Sequence, residues 1–177
     1  AAYEIVKGLE FKTTFGLSSE TNQYGKYQPS TVVAAKALKG IASIFNSSQT
    51  NIISENYLTY KTDLWLGKFT VLGGYSYQKV EFESSTAAAS GFVTDSFSYH
   101  NLGGGAIPIK PQSNTTTSEL ASLFGRINYD IKDKYLFTFT GRRDGSSSFS
   151  KNYKYGFFPS GAIGWNVNKE SFLENSK

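Results

Sequence analysis

Apolar and polar residues alternate with period two along much of the chain, the pattern of strands with one apolar face. Over 68–78, Phe69, Val71, Tyr75 and Tyr77 share a face with Gly73, opposed by Thr70, Leu72, Gly74, Ser76 and Gln78. Over 122–130, Leu123, Ile127 and Tyr129 oppose Ser122, Phe124, Arg126, Asn128 and Asp130. Over 135–144, Tyr135, Phe137 and Phe139 oppose Leu136, Thr138, Thr140, Arg142 and Asp144. A strand over 157–167 sets Phe157, Ile163, Trp165 and Val167 against Ser160, Ala162, Gly164 and Asn166. Two earlier strands are less regular. Over 4–15, Ile5, Leu9, Phe11 and Phe15 oppose Glu4, Glu10, Lys12 and Thr14, with Lys7 on the wrong face; Leu58, Tyr60 and Leu64 mark the other, over 51–64. Six strands are predicted.

Their length narrows the choice of fold. These runs hold about 9 to 14 residues, against 5 or 6 in most globular strands, and a tilted bilayer-spanning strand needs roughly 9 to 11. The connections alternate between long and short. Short turns are expected at 65–67 and 131–133, and long polar loops at 18–50, 84–118 and 145–154. Within the first loop, 31–45 has Val33, Ala37, Leu38, Ile41 and Phe45 at helical spacing, which predicts a short helix. Outer-membrane barrels keep their long loops outside and their short turns in the periplasm. The chain therefore reads as an all-β, antiparallel up-and-down transmembrane β-barrel segment forming one domain over 1–177.

Composition supports this and removes other classes. Of 177 residues, 16% are aromatic and only 18% charged, and the chain has 12 tyrosines, whose amphipathic rings suit a membrane interface. Mean hydropathy is −0.33 and no apolar run approaches 18 residues, so no transmembrane helix is expected. Zero cysteines exclude disulfides and thiol nucleophiles, and a single histidine, His100, leaves no His-rich metal site. Neither a G-x-S-x-G elbow nor a Lys-Ser/Thr after Gly103–Gly105 is present, so no enzyme, cofactor, catalytic residue or metal is expected. Asn46 and Asn114 match glycosylation acceptors, a pattern common by chance. The net charge of +4 is scattered rather than clustered, which argues against nucleic acid. No methionine is present, so Ala1 is expected to be a processed end or the start of a fragment.

If the apolar faces meet lipid, the opposite faces meet the lumen. The lumen-lining candidates are Arg126, Asn128, Thr138, Thr140, Arg142 and Asp144, a wetted lattice of ion pairs and hydrogen bonds or a lining that touches a plug or solute. Tyr129, Tyr135, Phe157, Phe158 and Trp165, near strand ends, suit the interfacial girdles.

The last third holds a recognisable string. It runs Ser122-Leu123-Phe124-Gly125-Arg126-Ile127-Asn128-Tyr129-Asp130 and Lys132-Asp133-Lys134-Tyr135-Leu136. It continues as Arg142-Arg143-Asp144-Gly145-Ser146-Ser147, Tyr155-Gly156-Phe157-Phe158-Pro159-Ser160 and Gly164-Trp165. It resembles the barrel region of SusC/RagA-type TonB-dependent outer-membrane transporters of Bacteroidetes. Lys7-Gly8-Leu9-Phe11 and Leu72-Gly73-Gly74-Tyr75 fit the same family more loosely. The resemblance implies a 22-stranded barrel with an N-terminal plug, a SusD-like surface lipoprotein as partner, and import of oligosaccharides or peptides driven through the TonB complex. The plug, the TonB-contacting segment and the other strands are expected outside this chain, since a barrel of that class needs roughly 650 residues at about 30 per strand. The residues alone leave two other readings open: a soluble β-sandwich binding glycans through surface aromatics, and a small structural or adhesive outer-membrane barrel. On the importer reading the protein lies in the cell outer membrane, in contact with its lipid, and six crossings put both ends of the chain in the periplasm.

Overall fold

The computed structural model describes residues 1–150 and 153–173. Its strands form a single sheet in which each neighbours the next in chain order. They are β1 (Ala2–Val6), β2 (Leu9–Gln28), β3 (Ile41–Leu64), β4 (Gly67–Phe92), β5 (Gly105–Ile131), β6 (Tyr135–Ser146) and β7 (Tyr155–Trp165). The pairs β1/β2, β5/β6 and β6/β7 are antiparallel. A β-sandwich needs two facing sheets, and the described strands make one.

Seven strands stand where six were expected. The run read as one strand over 4–15 is a hairpin, because Gly8 takes φ +84° and turns the chain between Val6 and Leu9. Lys7 broke the alternation because it lies in that turn. Ala1 consequently lies level with Thr13, whose N–H donates to its carbonyl at 2.9 Å. The amino end thus lies beside β2, four residues along from Leu9.

The segments read as long loops are mostly strand. β2 to β5 run 20, 24, 26 and 27 residues and take in most of 18–50 and 84–118. The connection from 93 to 104 carries only two 3₁₀ turns, Asp95–Phe97 and Leu102–Gly104. The helix predicted over 31–45 shrinks to one turn, α1 (Val33–Lys36). Gly40 (φ +85°) ends that excursion, and Ile41 to Phe45 enter β3. The short turns lie where predicted. Lys134 N–H donates to Ile131 O at 2.9 Å across Lys132 and Asp133, both at positive φ as a type I′ hairpin turn requires. Trp65, also at positive φ, turns β3 into β4.

The chain divides into two compact units: 1–17 with 52–79 and the stretch from Ser118 onward, and 18–51 with 80–117. The second unit has a small conventional core of Ala42, Ala89 and Phe92, with Tyr27, Tyr99 and Leu102 packed on it. In the first unit no apolar side chain is buried among the described residues; its buried side chain is Ser122. The chain exposes 12,735 Å², where a folded soluble monomer of its mass shows roughly 8,500 Å².

Candidate functional site

The polar face of the first unit follows from one turn. With Ile131 opposite Tyr135, the β5/β6 register runs without a slip to Leu120 opposite Ser146. Alternation then sends Arg126, Asn128, Thr138, Thr140, Arg142 and Asp144 to the same face. All six predicted positions are brought together, and they bond both across the two strands and along β6. Thr138 Oγ1 donates to Asn128 Oδ1 at 2.9 Å, and Arg126 Nε to Thr140 Oγ1 at 3.2 Å. Arg142 Nε donates to Asp144 Oδ1 at 2.6 Å and its Nη2 to Ser122 Oγ at 2.9 Å. The Arg142 guanidinium lies 5.4 Å from the centre of the Phe124 ring, and that ring meets Tyr57 at 5.6 Å. The alternation put Ser122 and Phe124 on this face without counting them among the lining candidates, and it missed Tyr57. Counting back from the turn would have placed Phe124 opposite Arg142, but no local signal shows Tyr57 on β3. Nearer the turn, the buried Asp130 Oδ1 has no hydrogen-bond partner among the described residues.

The opposite face is apolar and open. Its rungs read Ile127–Phe139–Gly161, Tyr129–Phe137–Ile163 and Ile131–Tyr135–Trp165. Phe139 is 56% and Ile163 81% exposed. Tyr129 stacks edge-on to Phe69 at 6.2 Å, and its hydroxyl donates to Leu64 O at 3.0 Å. Aromatic residues end the face of β7, Trp165 beside the turn and Tyr155 ten residues away, a span that suits a tilted bilayer crossing. Phe158 departs from the predicted girdle. It stands opposite Arg142, on the polar face, because it follows Phe157 by one residue.

Two clusters went unseen in the sequence. At the turn end, the Glu170 carboxylate accepts from Tyr135 Oη at 2.7 Å, Trp165 Nε1 at 3.2 Å and Lys134 Nζ at 3.2 Å. These donors, Tyr135 foremost, hold its pKa below the usual carboxylate value. Asn166 Nδ2 donates to Asp133 O at 2.7 Å, so the end of β7 is fastened to the β5/β6 turn. In the second unit, the Tyr27 hydroxyl donates to Asp95, which also accepts from Ser30 N–H and Oγ, each at 3.2 Å. The bond to Asp95 pushes the Tyr27 pKa up to about 12, and Asp95 is held below its usual value by Tyr27 and then Ser30. His100 stacks on Tyr99 at 4.2 Å, and Gly103 and Gly104 lie in a 3₁₀ turn. A groove of about 400 Å³ in this unit is lined by Thr21, Asn46, Ser48, Glu83, Ser85 and Asn114 among others.

The arrangement offers hydrogen-bond donors and acceptors, a fixed guanidinium and a wall of apolar surface. A family model described as TonB dependent receptor-like, beta-barrel, matches residues 3–173. The chain belongs to this family. TonB-dependent receptor P3 of Formosa agariphila is 55% identical over 176 residues, which cover 99% of this chain and 18% of that protein. TonB-dependent receptor SusC of Bacteroides thetaiotaomicron is 53% identical over 60 residues, 34% of this chain and 6% of that protein. A chain from the structure of the RagAB peptide transporter superposes with a TM-score of 0.87 at 22% identity, covering 97% of this chain and 19% of that one. This last likeness concerns the fold. The resemblance to SusC/RagA-type barrels read from the sequence is borne out, and the chain spans about a fifth of the length of these full-coverage matches.

Proposed function

We propose that the first unit is a sector of the transmembrane wall of a SusC-type TonB-dependent importer, apolar face to lipid and polar face to the lumen. The observation that carries this reading is the inverted burial of the first unit. Phe137, Phe139 and Ile163 stand open while the charged and hydroxyl groups of the opposite face bond to one another. An apolar face of that extent in water marks an interaction surface, and period-two strands of this length suit a bilayer. In hydrocarbon the outer edges of β1 and β7 require further strands, since each bare backbone group there costs several kcal/mol. Those strands, the plug and the TonB-contacting segment belong to residues outside this chain.

In this orientation the turns at Lys7–Gly8, Trp65–Leu66 and Lys132–Asp133 face the periplasm, with the end of β7 beside them. The connection over 93–104 faces outward, where a SusD-like surface lipoprotein would dock. The polar rungs line the path of a hydroxyl- and amide-bearing solute, an oligosaccharide or a peptide. The protein works by gated passage, with no catalytic step.

One pair of substitutions in the full-length transporter tests the face assignment. Phe139→Arg should sharply reduce folded protein in the outer membrane, because an arginine facing lipid costs about 2 to 4 kcal/mol near the midplane. Thr140→Arg, one residue on, should assemble and alter uptake. Equal tolerance of both would remove the reading, as would a native protein that stays monodisperse without detergent. External protease that cleaves at Trp65–Leu66 in intact cells, but not between 93 and 101, would reverse the orientation.

A further inference from the structure

The apolar face of the first unit is not uniformly covered. A groove of about 900 Å³ crosses it, walled by Leu58, Leu123, Ile127, Phe139 and Phe157. Part of its floor is bare backbone. Gly125 stands directly opposite Gly141, and a Cβ added at Gly73 would meet no atom within 4 Å. Arg143 belongs to the same lining. Its guanidinium lies 4.6 Å from the centre of the Tyr155 ring, and that ring occupies the space a Cβ on Gly145 would need. No carboxylate among the described residues is within salt-bridge distance of Arg143. A cation on the apolar face, braced by a ring and without a counter-charge, is at odds with a wall that meets only hydrocarbon.

We propose that this groove seats an acyl chain of a phosphorylated saccharolipid of the lipid A type, with the Arg143 guanidinium bonded to its phosphate. The inference rests on the orientation given above. Arg143 is eight residues from Tyr135, which begins β6 at the turn, or about 27 Å along the strand. With the turn in the periplasm and the strand tilted by about 40°, the Arg143 backbone stands about 21 Å up an apolar band about 25 Å tall, within the outer leaflet, and its long side chain extends to the headgroups. Apolar contact alone would not select a lipid, because lipid tails are as apolar as the leucines they would touch. Selection therefore comes from charge complementarity. A planar guanidinium presents a fork that matches phosphate oxygens, and Tyr155 holds that fork in place. The groove contributes shape, accepting a chain where a flush wall would not.

The test uses the full-length transporter in detergent, with lipid A or phosphatidylglycerol added and the bound lipid read by native mass spectrometry. The wild type should retain lipid A. Arg143→Gln should lower retention about tenfold to a hundredfold, the worth of one or two charge-assisted hydrogen bonds. Gly73→Leu, whose Cβ would meet no atom within 4 Å, projects a side chain into the groove and should lower retention while leaving Arg143 in place; it carries the test if Arg143→Gln fails to assemble. Retention unchanged in both variants would overturn the proposal. Preference for phosphatidylglycerol over lipid A would overturn the assigned occupant. A failure of the orientation itself is seen separately, in the protease experiment on Trp65–Leu66.

Discussion

β5 passes through both units and changes character on the way. Its part in the second unit, 105–117, ends in Gln-Ser-Asn-Thr-Thr-Thr, and its part in the first, 118–131, carries Leu123, Ile127 and Tyr129. The second unit closes a small core in which Phe92 is only 6% exposed, although Val33, Val93 and Ile107 stay open around it. The first unit leaves its apolar groups open and bonds its polar groups to one another. In the proposed orientation one strand geometry serves two solvents, and side-chain chemistry records the change. Strand pairing satisfies the backbone in either medium, so the ladder can continue where the side chains switch from lipid to water.

The largest effect is expected where the second unit is conventional. Phe92 packs on Ala42 and Ala89 and meets Tyr27 edge-on at 5.8 Å. Phe92→Ala should cost about 3 to 5 kcal/mol of local stability, as large-to-small core substitutions do. Hydrogen exchange should speed at Gly91 and Phe92, whose N–H groups bond to Leu38 O and Lys39 O. The change should be the same in detergents of different chain length. Dependence on the detergent would mean that this core, too, is built for lipid.

Next comes a pair on one strand. Ile127 and Thr115 lie twelve residues apart on β5 with the same parity, in different units. Ile127→Arg should cost about 2 to 4 kcal/mol in a bilayer and block assembly, whereas Thr115→Arg should stay within about 0.5 kcal/mol. Comparable losses from both, measured as folded protein in the membrane fraction, would erase the distinction between the two stretches. A smaller effect is expected on the polar face. Asp144→Asn takes the charge from the 2.6 Å contact with Arg142 but leaves Ser122 and the Phe124 ring beside the guanidinium. A loss of about 1 to 3 kcal/mol is expected from one charged hydrogen bond, read as a lower unfolding temperature of the assembled protein.

The same contrast explains what the sequence disclosed. β6 was legible because Tyr135, Phe137 and Phe139 alternate with Thr138, Thr140 and Arg142, and the six polar positions followed from that parity. The outer stretches of β2 to β5 were not. Ser113 to Ser118 alternates between polar and polar, so period two leaves no mark there although the strand continues. Lys7–Gly8 was misread because one odd residue in an apolar pattern looks like an exception and not a turn. Glu170 and Asp95 were invisible for another reason. Their partners Tyr135 and Tyr27 lie 35 and 68 residues away, beyond any local pattern.

The smallest predicted effect concerns the Tyr27–Asp95 contact, which ties the end of β2 to the 3₁₀ turn after β4. Asp95 is held below its usual value of 3.8, so the stability it contributes is present above that value and is lost as pH falls through the lowered one. Tyr27 is raised from 10.0 to about 12, so its contribution is complete below pH 10 and disappears as pH climbs through about 12. Between these limits the contact should not respond to pH, and segment 93–99 should resist protease equally at pH 5 and pH 9. The contact is exposed to solvent, so the transitions should be shallow and local. A difference titration of tyrosinate absorbance between the wild type and Tyr27→Phe isolates the group. The missing hydroxyl should account for one tyrosine titrating near pH 12, and a difference centred near pH 10 would show that Asp95 does not hold Tyr27 in solution.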